Sequence, residues 1–316
     1  MAEPIAAAAL AIEAALGWPN RLHALTGHPV GLFAKIIQSC DRAFNRPHWT
    51  DRRRRIAGLA ATLLLIALTF AVAALAEAAV RSLAGAWAWP ILALLAWPAV
   101  AARSLDDHVR PILAALQADD LPAARRAVGM IVGRDTTKLD EPGVTRAAIE
   151  SLAESFCDGV AAPLFWLVVL GLPGAWALKA INTADSMIGH REEPYRAYGW
   201  AAARIDDAAM LIPARLSGLL LCLAGGGWRT MARDHARHAS PNAGWPESAM
   251  AGALGVRLAG PIAYDGVLAD KPWIGKDGRE AIPQDLARAL SIYRRACAIL
   301  GAFALIVTAG AALWRA

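Results

Sequence analysis

The chain has 316 residues, 57% of them hydrophobic and only 19% charged, with 12 Trp against 4 Tyr and 6 Phe. Its mean hydropathy is +0.37, and soluble domains carry roughly 25% charged residues, so the profile argues against a soluble globular chain and for a polytopic membrane protein. The 32 Lys and Arg exceed the 27 Asp and Glu by only five, which is no footprint for nucleic acid, and Cys40, Cys157, Cys222 and Cys297 lie too far apart for a zinc site or a disulfide framework.

A bilayer core about 30 Å thick needs roughly 20 apolar helical residues, so uncharged runs of that length organise the chain. Residues 5–16 are too short to span alone and carry Glu13; with no basic region before them they read as a short first helix rather than a cleaved signal peptide. Residues 17–55 hold eight Lys or Arg against two Asp, and the positive-inside rule puts them in the cytoplasm. Directly after Arg52 to Arg55, residues 56–76 run without charge or proline as a first span. A tight hairpin then leads to a second uncharged run, residues 83–102, with Trp87, Trp89 and Trp97 for the interfaces and Pro90 and Pro98 expected to kink it. Residues 103–158 return to the cytoplasmic side as a long amphipathic helical stretch.

Two further apolar stretches, 159–178 and 208–228, are interrupted by prolines and glycines and read as broken or re-entrant elements. Irregular backbone at membrane depth survives only where protein or a watery cavity satisfies it. Residues 229–295 form a second polar loop, and residues 296–314, flanked by Arg294, Arg295 and Arg315, are a third clean span. No repeat or linker marks a separate soluble domain, so residues 1–316 are read as one all-α, multi-pass membrane domain with amphipathic cytoplasmic helices.

Charged groups near membrane segments are expensive, and they concentrate between Arg134 and Arg215. Helical spacing from Pro142 onward puts Glu150, Glu154 and Asp158 on one stripe at i, i+4, where like charges repel with no i+4 Lys to offset them. A divalent cation or a cationic substrate would relieve that cost; the plainer alternative is a solvated acidic face. Lys179, Asn182, Asp185 and Ser186 follow an apolar run at three- and four-residue spacings. They are either an ordinary ion pair with small polar neighbours or oxygen donors for Mg²⁺, which commonly takes one or two carboxylates and leaves the rest to water and phosphate. Arg204, Asp206 and Asp207 stand at the entry to an apolar segment and Arg215 within it, either snorkelling and paired or capturing phosphate or carboxylate. Asn242 lies in a Pro/Gly turn segment, residues 240–246, that can present amides to an anion or serve as a plain connector. No P-loop, GxGxxG, GxSxG or HExxH pattern occurs.

Several motifs recur in order: HPVGL at 28–32, ARSL at 102–105, VGRDT at 132–136 with LD at 139–140, ESLAESFCDGVAAPLF at 150–165, KAINTADSMIG at 179–189, AARIDD at 202–207, IPARL at 212–216 and SPNAGWPESAMAGALGV at 240–256. Over nearly its whole length the chain therefore resembles the CobD/CbiB family of cobalamin biosynthesis, the adenosylcobinamide-phosphate synthases. It departs from the family pattern at Trp18, Ser155, Met210 and Leu211. The resemblance implies a reaction that joins a propionate carboxylate of adenosylcobyric acid to the amine of (R)-1-amino-2-propanol phosphate. It also implies ATP and Mg²⁺, with an acyl phosphate as the natural activated species. Under that resemblance Glu150, Glu154, Lys179 and Asn182 are expected to be catalytic. Arg134, Arg204, Arg215 and Asn242 are expected to bind phosphates, and Asp158, Asp185, Asp206 and Asp207 to hold the metal. The expected setting is the plasma (inner) membrane with the site facing the cytoplasm; the partners are the corrinoid, the amino-alcohol phosphate and the bilayer, with a homo-oligomer or a neighbouring pathway enzyme left open.

Two other classes share some of these features. CDP-alcohol phosphotransferases also place acids on membrane helices, but here Asp158-Gly159 leads into Val-Ala-Ala-Pro rather than Ala-Arg. A non-catalytic sensor or transporter of the AmpE-like kind is disfavoured by retention of the motifs at 179–189 and 202–216.

Overall fold

A computed structural model describes residues 4–264, 267–269 and 271–313. Helices α1 (Ile5–Leu16), α2 (Asn20–Thr26), α3 (Val30–Phe44) and the long α4 (Asp51–Ala84) precede α5 (Ala88–Ala96), which has a 3-10 turn on either side. Next come α6 (Ala102–Gln117), α7 (Leu121–Val128) and α8 (Glu141–Phe156), then a π-helical turn (Cys157–Ala161) that leads into α9 (Ala162–Ile188). Four shorter helices, α10 (Tyr195–Tyr198), α11 (Trp200–Ala209), α12 (Leu211–Gly225) and α13 (Trp228–Asp234), bring the chain to α14 (Gly244–Leu254). Strands β1 (Leu258–Ala259), β2 (Ile262–Tyr264), β3 (Val267–Ala269) and β4 (Trp273–Ile274) pair antiparallel as β1 with β4 and β2 with β3, and α15 (Pro283–Leu313) follows. Three apolar helical stretches, Asp51–Gln117, Glu141–Ile188 and Pro283–Gly310, are long and apolar enough to cross a membrane, and α11 with α12 adds a fourth if counted as one broken span. The protein is an all-α polytopic membrane protein with one small strand region.

The described chain divides into two compact units. One contains the chain up to Ala101, Ala162–Met210 and the chain from Ala304; the other contains Ala102–Ala161 and Leu211–Phe303.

In the first unit α4 has 34 residues, about 51 Å of helix at 1.5 Å per residue, so it outruns the hydrocarbon and takes in the arginines before the apolar run. Thr50 caps it by accepting from the Arg53 amide at 3.3 Å, and Gly85, with φ +52, ends it. One face packs inward: Leu65 joins Phe33, Ile37, Ala180, Ala184, Ile188, Tyr198 and Ala202 in a buried cluster. Gly58 is needed there, because a Cβ would run into the Tyr198 carbonyl. The opposite face leaves Leu59, Leu63, Leu64, Leu68, Val72 and Leu75 exposed, as a lipid-facing helix must.

The run at 83–102 is not one kinked span. Gly85 stops α4, Pro90 sits in the first turn of α5, where a missing N–H costs nothing, and Pro98 lies in the second 3-10 turn. The result is a nine-residue helix between two turns. The stretch 159–178 is broken, as expected, at Gly171 (φ 69, ψ −158) inside α9. Protein satisfies the break: the Leu172 amide donates to Glu77 Oε2 of α4 at 2.9 Å, while Arg81 holds Glu77 Oε1 at 2.8 Å.

In the second unit Asp140 caps α8 by accepting from the Gly143 amide at 2.9 Å, with Pro142 in the first turn. Phe156 meets Tyr293 edge-on, with ring centroids 5.8 Å apart, and the Tyr293 hydroxyl donates to the Ala102 carbonyl at 2.6 Å. Residues 229–295 are more ordered than a polar loop: they hold α13, α14, the four strands and the start of α15. Polar spacing hid α15 because Arg294 and Arg295 continue a helix already running from Pro283. Trp314, the expected end of the last span, lies outside the described residues.

Candidate functional site

The expected site residues divide between the two units. Lys179, Asn182, Asp185, Arg204, Asp206 and Asp207 belong to the first; Arg134, Glu150, Glu154, Asp158, Arg215 and Asn242 belong to the second.

In the first unit α9 carries Lys179, Asn182 and Asp185 on neighbouring turns, and α11 packs against it. Asn182 Nδ2 lies 3.4 Å from Asp206 Oδ1, and Arg204 pairs with Asp207 at 2.8 Å. Asp185 is half-buried, and among the described residues its carboxylate has no hydrogen bond or ion pair of its own; Asp207, Arg204 and His190 are the charged groups that act on it. The Gly189 amide closes this turn onto the Asp185 carbonyl at 2.7 Å. His28, of the first sequence motif, accepts from the Val30 amide at 3.2 Å and meets Trp18 edge-on. Burial first, then the nearby charges of Lys179 and His23, lower its pKa to about 4, so it stays neutral at pH 7.

Among the described residues no three His, Cys, Asp or Glu side chains converge to hold a metal by themselves. Asp185, Asp206 and Asp207 are therefore no closed cage, and Asp158 lies in the π-helical turn of the other unit. The donor set still fits Mg²⁺, which keeps several waters and takes one or two carboxylates together with phosphate oxygens. Asp185 is the carboxylate best placed for that role, since Asp206 and Asp207 already engage Asn182 and Arg204.

In the second unit the stripe predicted for Glu150, Glu154 and Asp158 ends at Glu154, because the π-helical turn widens the helix just before Asp158. Glu150 is also not left to repel its neighbours. Arg134, with a side chain 7% exposed, pairs with it at 2.9 Å, Arg146 lies 3.8 Å away, and the Ala259 amide donates to it at 2.7 Å. Arg134 and Glu150, expected to act on phosphate and amine, thus bind each other. Arg215 in the second turn of α12 donates to the Leu211 carbonyl at 2.6 Å, lies 3.5 Å from Asn242 Oδ1 and stacks over Trp245 at 4.9 Å. The structure therefore brings together Arg215 and Asn242, which are 27 residues apart in sequence.

Sequence reasoning missed Glu247 and His238. Glu247 on α14 is 4% exposed, and burial, with the like charges of Glu150 and Glu154, pushes its carboxyl well above the usual range. His238 Nδ1 accepts from the Ser240 amide at 3.0 Å, which leaves the ring proton on Nε2, 3.6 Å from Glu247 Oε1. Burial lowers the pKa of His238, so this neutral donor form persists. A signal was present: Glu247 is the only charged residue in an otherwise small and apolar helix, Gly244–Leu254.

A family model described as CobD/Cbib protein matches residues 6–293. The chain is similar to the "Cobalamin biosynthesis protein CobD" of Rhodobacter capsulatus, 48% identical over 313 residues that cover 97% of this chain and 96% of the other. It is likewise similar to proteins of that name from Rhizobium meliloti (strain 1021), 44% identical over 304 residues covering 92% of each chain, and from Brucella suis biovar 1, 43% identical over 296 residues covering 90% of each. No solved structure matches the chain.

Proposed function

The chain belongs to the CobD/CbiB family of cobalamin biosynthesis, and on that premise we propose that it is the amide-forming synthase that joins adenosylcobyric acid to (R)-1-amino-2-propanol phosphate, giving adenosylcobinamide phosphate. It works in the plasma membrane with its chemistry on the cytoplasmic side, where the basic residues 17–55 would lie by the positive-inside rule.

A carboxylate does not condense with an amine in water unless one oxygen is made a leaving group. The carboxylate oxygen attacks the γ-phosphorus of ATP, ADP leaves, and the amine then attacks the acyl carbon and expels inorganic phosphate. Mg²⁺ would supply charge neutralisation on the phosphates, and Asp185 would hold it, joined by Asp207 or Asp206. Lys179 and Arg204 of the first unit bind phosphate oxygens, the guanidinium fork of Arg204 suiting that geometry. Asn182 orients Asp206. The ammonium substrate must lose a proton before it attacks. Glu154, exposed on α8, attracts it, and Glu247 accepts the proton, since a carboxyl with a raised pKa is the better base near neutral pH. Before that transfer the His238 Nε2–H, 3.6 Å from Glu247 Oε1, steadies the carboxylate. Glu150 and Arg134 keep each other in place.

The observation that supports this reading most is Asp185, a half-buried carboxylate with no direct partner among the described residues, set beside Asp207 and Arg204. Purified protein in detergent, given both substrates, is expected to yield the amide with ATP and Mg²⁺ and none without ATP. Replacing Asp185→Asn should lower kcat by about 10²-fold or more, the usual effect of losing one electrostatic stabiliser. No amide with all substrates present would overturn the reading; a normal rate in the Asp185→Asn protein would overturn the metal assignment.

A further inference from the structure

The first turn of α4 is Asp51 followed by four consecutive arginines, Arg52 to Arg55. A helix start is the positive pole of the backbone dipole, so cations there are disfavoured and need an anionic counterpart. Arg54 has one inside the unit. It is buried, donates to Asn45 Oδ1 at 2.8 Å, to Glu193 Oε2 at 3.1 Å and to the Pro194 carbonyl. Arg52, Arg53 and Arg55 are exposed, and among the described residues none has a carboxylate within ion-pair distance.

Two of these guanidiniums are nevertheless positioned. The Arg53 guanidinium carbon lies 3.8 Å from the ring centre of Trp49, and that of Arg55 lies 5.9 Å from Trp200. Stacking on an indole restrains a guanidinium but does not neutralise it, and its in-plane N–H fork stays open to a phosphate. The depth of the patch follows from the same helix. Ile56, Leu59, Leu63 and Leu64 are exposed immediately after the arginines, in a stretch long and apolar enough to span. Hydrocarbon therefore begins at Ile56, and Arg52 to Arg55 stand at the level of lipid phosphates. Tryptophans such as Trp49 and Trp200 belong at that level too.

We propose that Arg52, Arg53 and Arg55, steadied by Trp49 and Trp200, form a headgroup site for an anionic phospholipid at the membrane surface. A soluble phosphate could meet the charge, but only a lipid also covers Ile56 and Leu59 in the next turn. The site does not depend on the catalytic reading.

The test is lipid retention by the full-length protein, purified in a mild detergent containing equimolar phosphatidylglycerol and phosphatidylcholine and analysed by native mass spectrometry. The wild-type protein should retain phosphatidylglycerol preferentially, each Arg→Gln change at positions 52, 53 and 55 should cut that preference about fivefold, and the triple variant should abolish it. If the triple variant does not fold, the wild-type protein alone decides. Its preference should vanish in about 1 M NaCl, where the screening length falls to about 3 Å. Equal retention of the two lipids, a preference unchanged in the triple variant or in high salt, or displacement of phosphatidylglycerol by ATP or inorganic phosphate at equal concentration would each overturn the proposal.

Discussion

The two units bury charge in opposite ways. The first exposes apolar helix faces and admits a charged side chain where the backbone demands one, as Glu77 does at the Gly171 break. The second ties buried acids to arginines. Asp234, fully buried, accepts from Arg233 at 2.8 Å and from the Gly275 amide at 2.8 Å, with Arg237 at 3.0 Å; Asp285, 1% exposed, is held by Arg279 at 2.6 Å and Arg288 at 3.3 Å; Asp106 takes Arg110 and Arg294. Both units rest on packing; the first adds a buried paired cation, Arg54, and the second adds several buried acids tied to arginines. The second should respond more to loss of a single buried acid.

The sharpest way to break that comparison is Asp234→Ala. Removing one member of a buried, hydrogen-bonded charge group costs about 3 kcal/mol or more, so segment-resolved hydrogen exchange in detergent should show α13, α14 and β4 opening while α4 stays protected. Equal opening of both units would mean they unfold together. Next in size is Glu77→Ala, which orphans the Leu172 amide and takes the Glu77 carboxylate from Arg81; a buried unsatisfied donor costs about 1–3 kcal/mol, and α9 should lose protection around Leu172. Gly171→Ala should act at the same place with a smaller loss, about 1–2 kcal/mol, because φ +69 is strained for any residue with a Cβ and that Cβ would stand 2.6 Å from Glu77 Oε2.

Two pH effects separate the units further. Hydrogen bonds from Arg233 hold the Asp234 carboxyl below its usual 3.8. Its contribution is therefore complete above that value and is lost as pH falls beneath it, and Asp234→Asn should flatten the acid limb of the unfolding curve. His28 acts in the same direction but in a higher window: burial lowers its pKa from 6.5 to about 4. Between those values the unfolded chain binds the extra proton, so the stability of the first unit falls as pH drops from 6.5 towards 4. Replacing His28→Gln should remove that slope in thermal unfolding measured across the window, and a slope that survives would assign it elsewhere.

Much of this was legible in the sequence where one local rule sufficed. The uncharged run after Arg52 to Arg55 announced α4, Pro142 announced the start of α8, and the glycines and prolines after Gly159 announced a broken helix. Residues 83–102 were misread because hydropathy counts apolar residues and ignores where each proline falls: Pro90 begins a helix instead of kinking one. The strands between Leu258 and Ile274 carry two or three residues each, too few for an alternating pattern. At the candidate site, local spacing singled out Asp185, Asn182 and Asp206. It could not show that Arg134 reaches Glu150 across 16 residues, nor that Arg215 meets Asn242 across 27, because those pairs are set by tertiary packing. Glu247 was overlooked for a related reason: a charge is conspicuous in a helix only once the helix is known to be buried.

Under the proposed function the chain drives amide formation by phosphorylating a carboxylate. Adenosylcobyric acid labelled with ¹⁸O in the reacting carboxylate, turned over with ATP and (R)-1-amino-2-propanol phosphate, tests it directly. An acyl phosphate hands one labelled oxygen to the inorganic phosphate released, with none in the nucleotide. Label in AMP, or amide formed with no label in phosphate, would contradict the account.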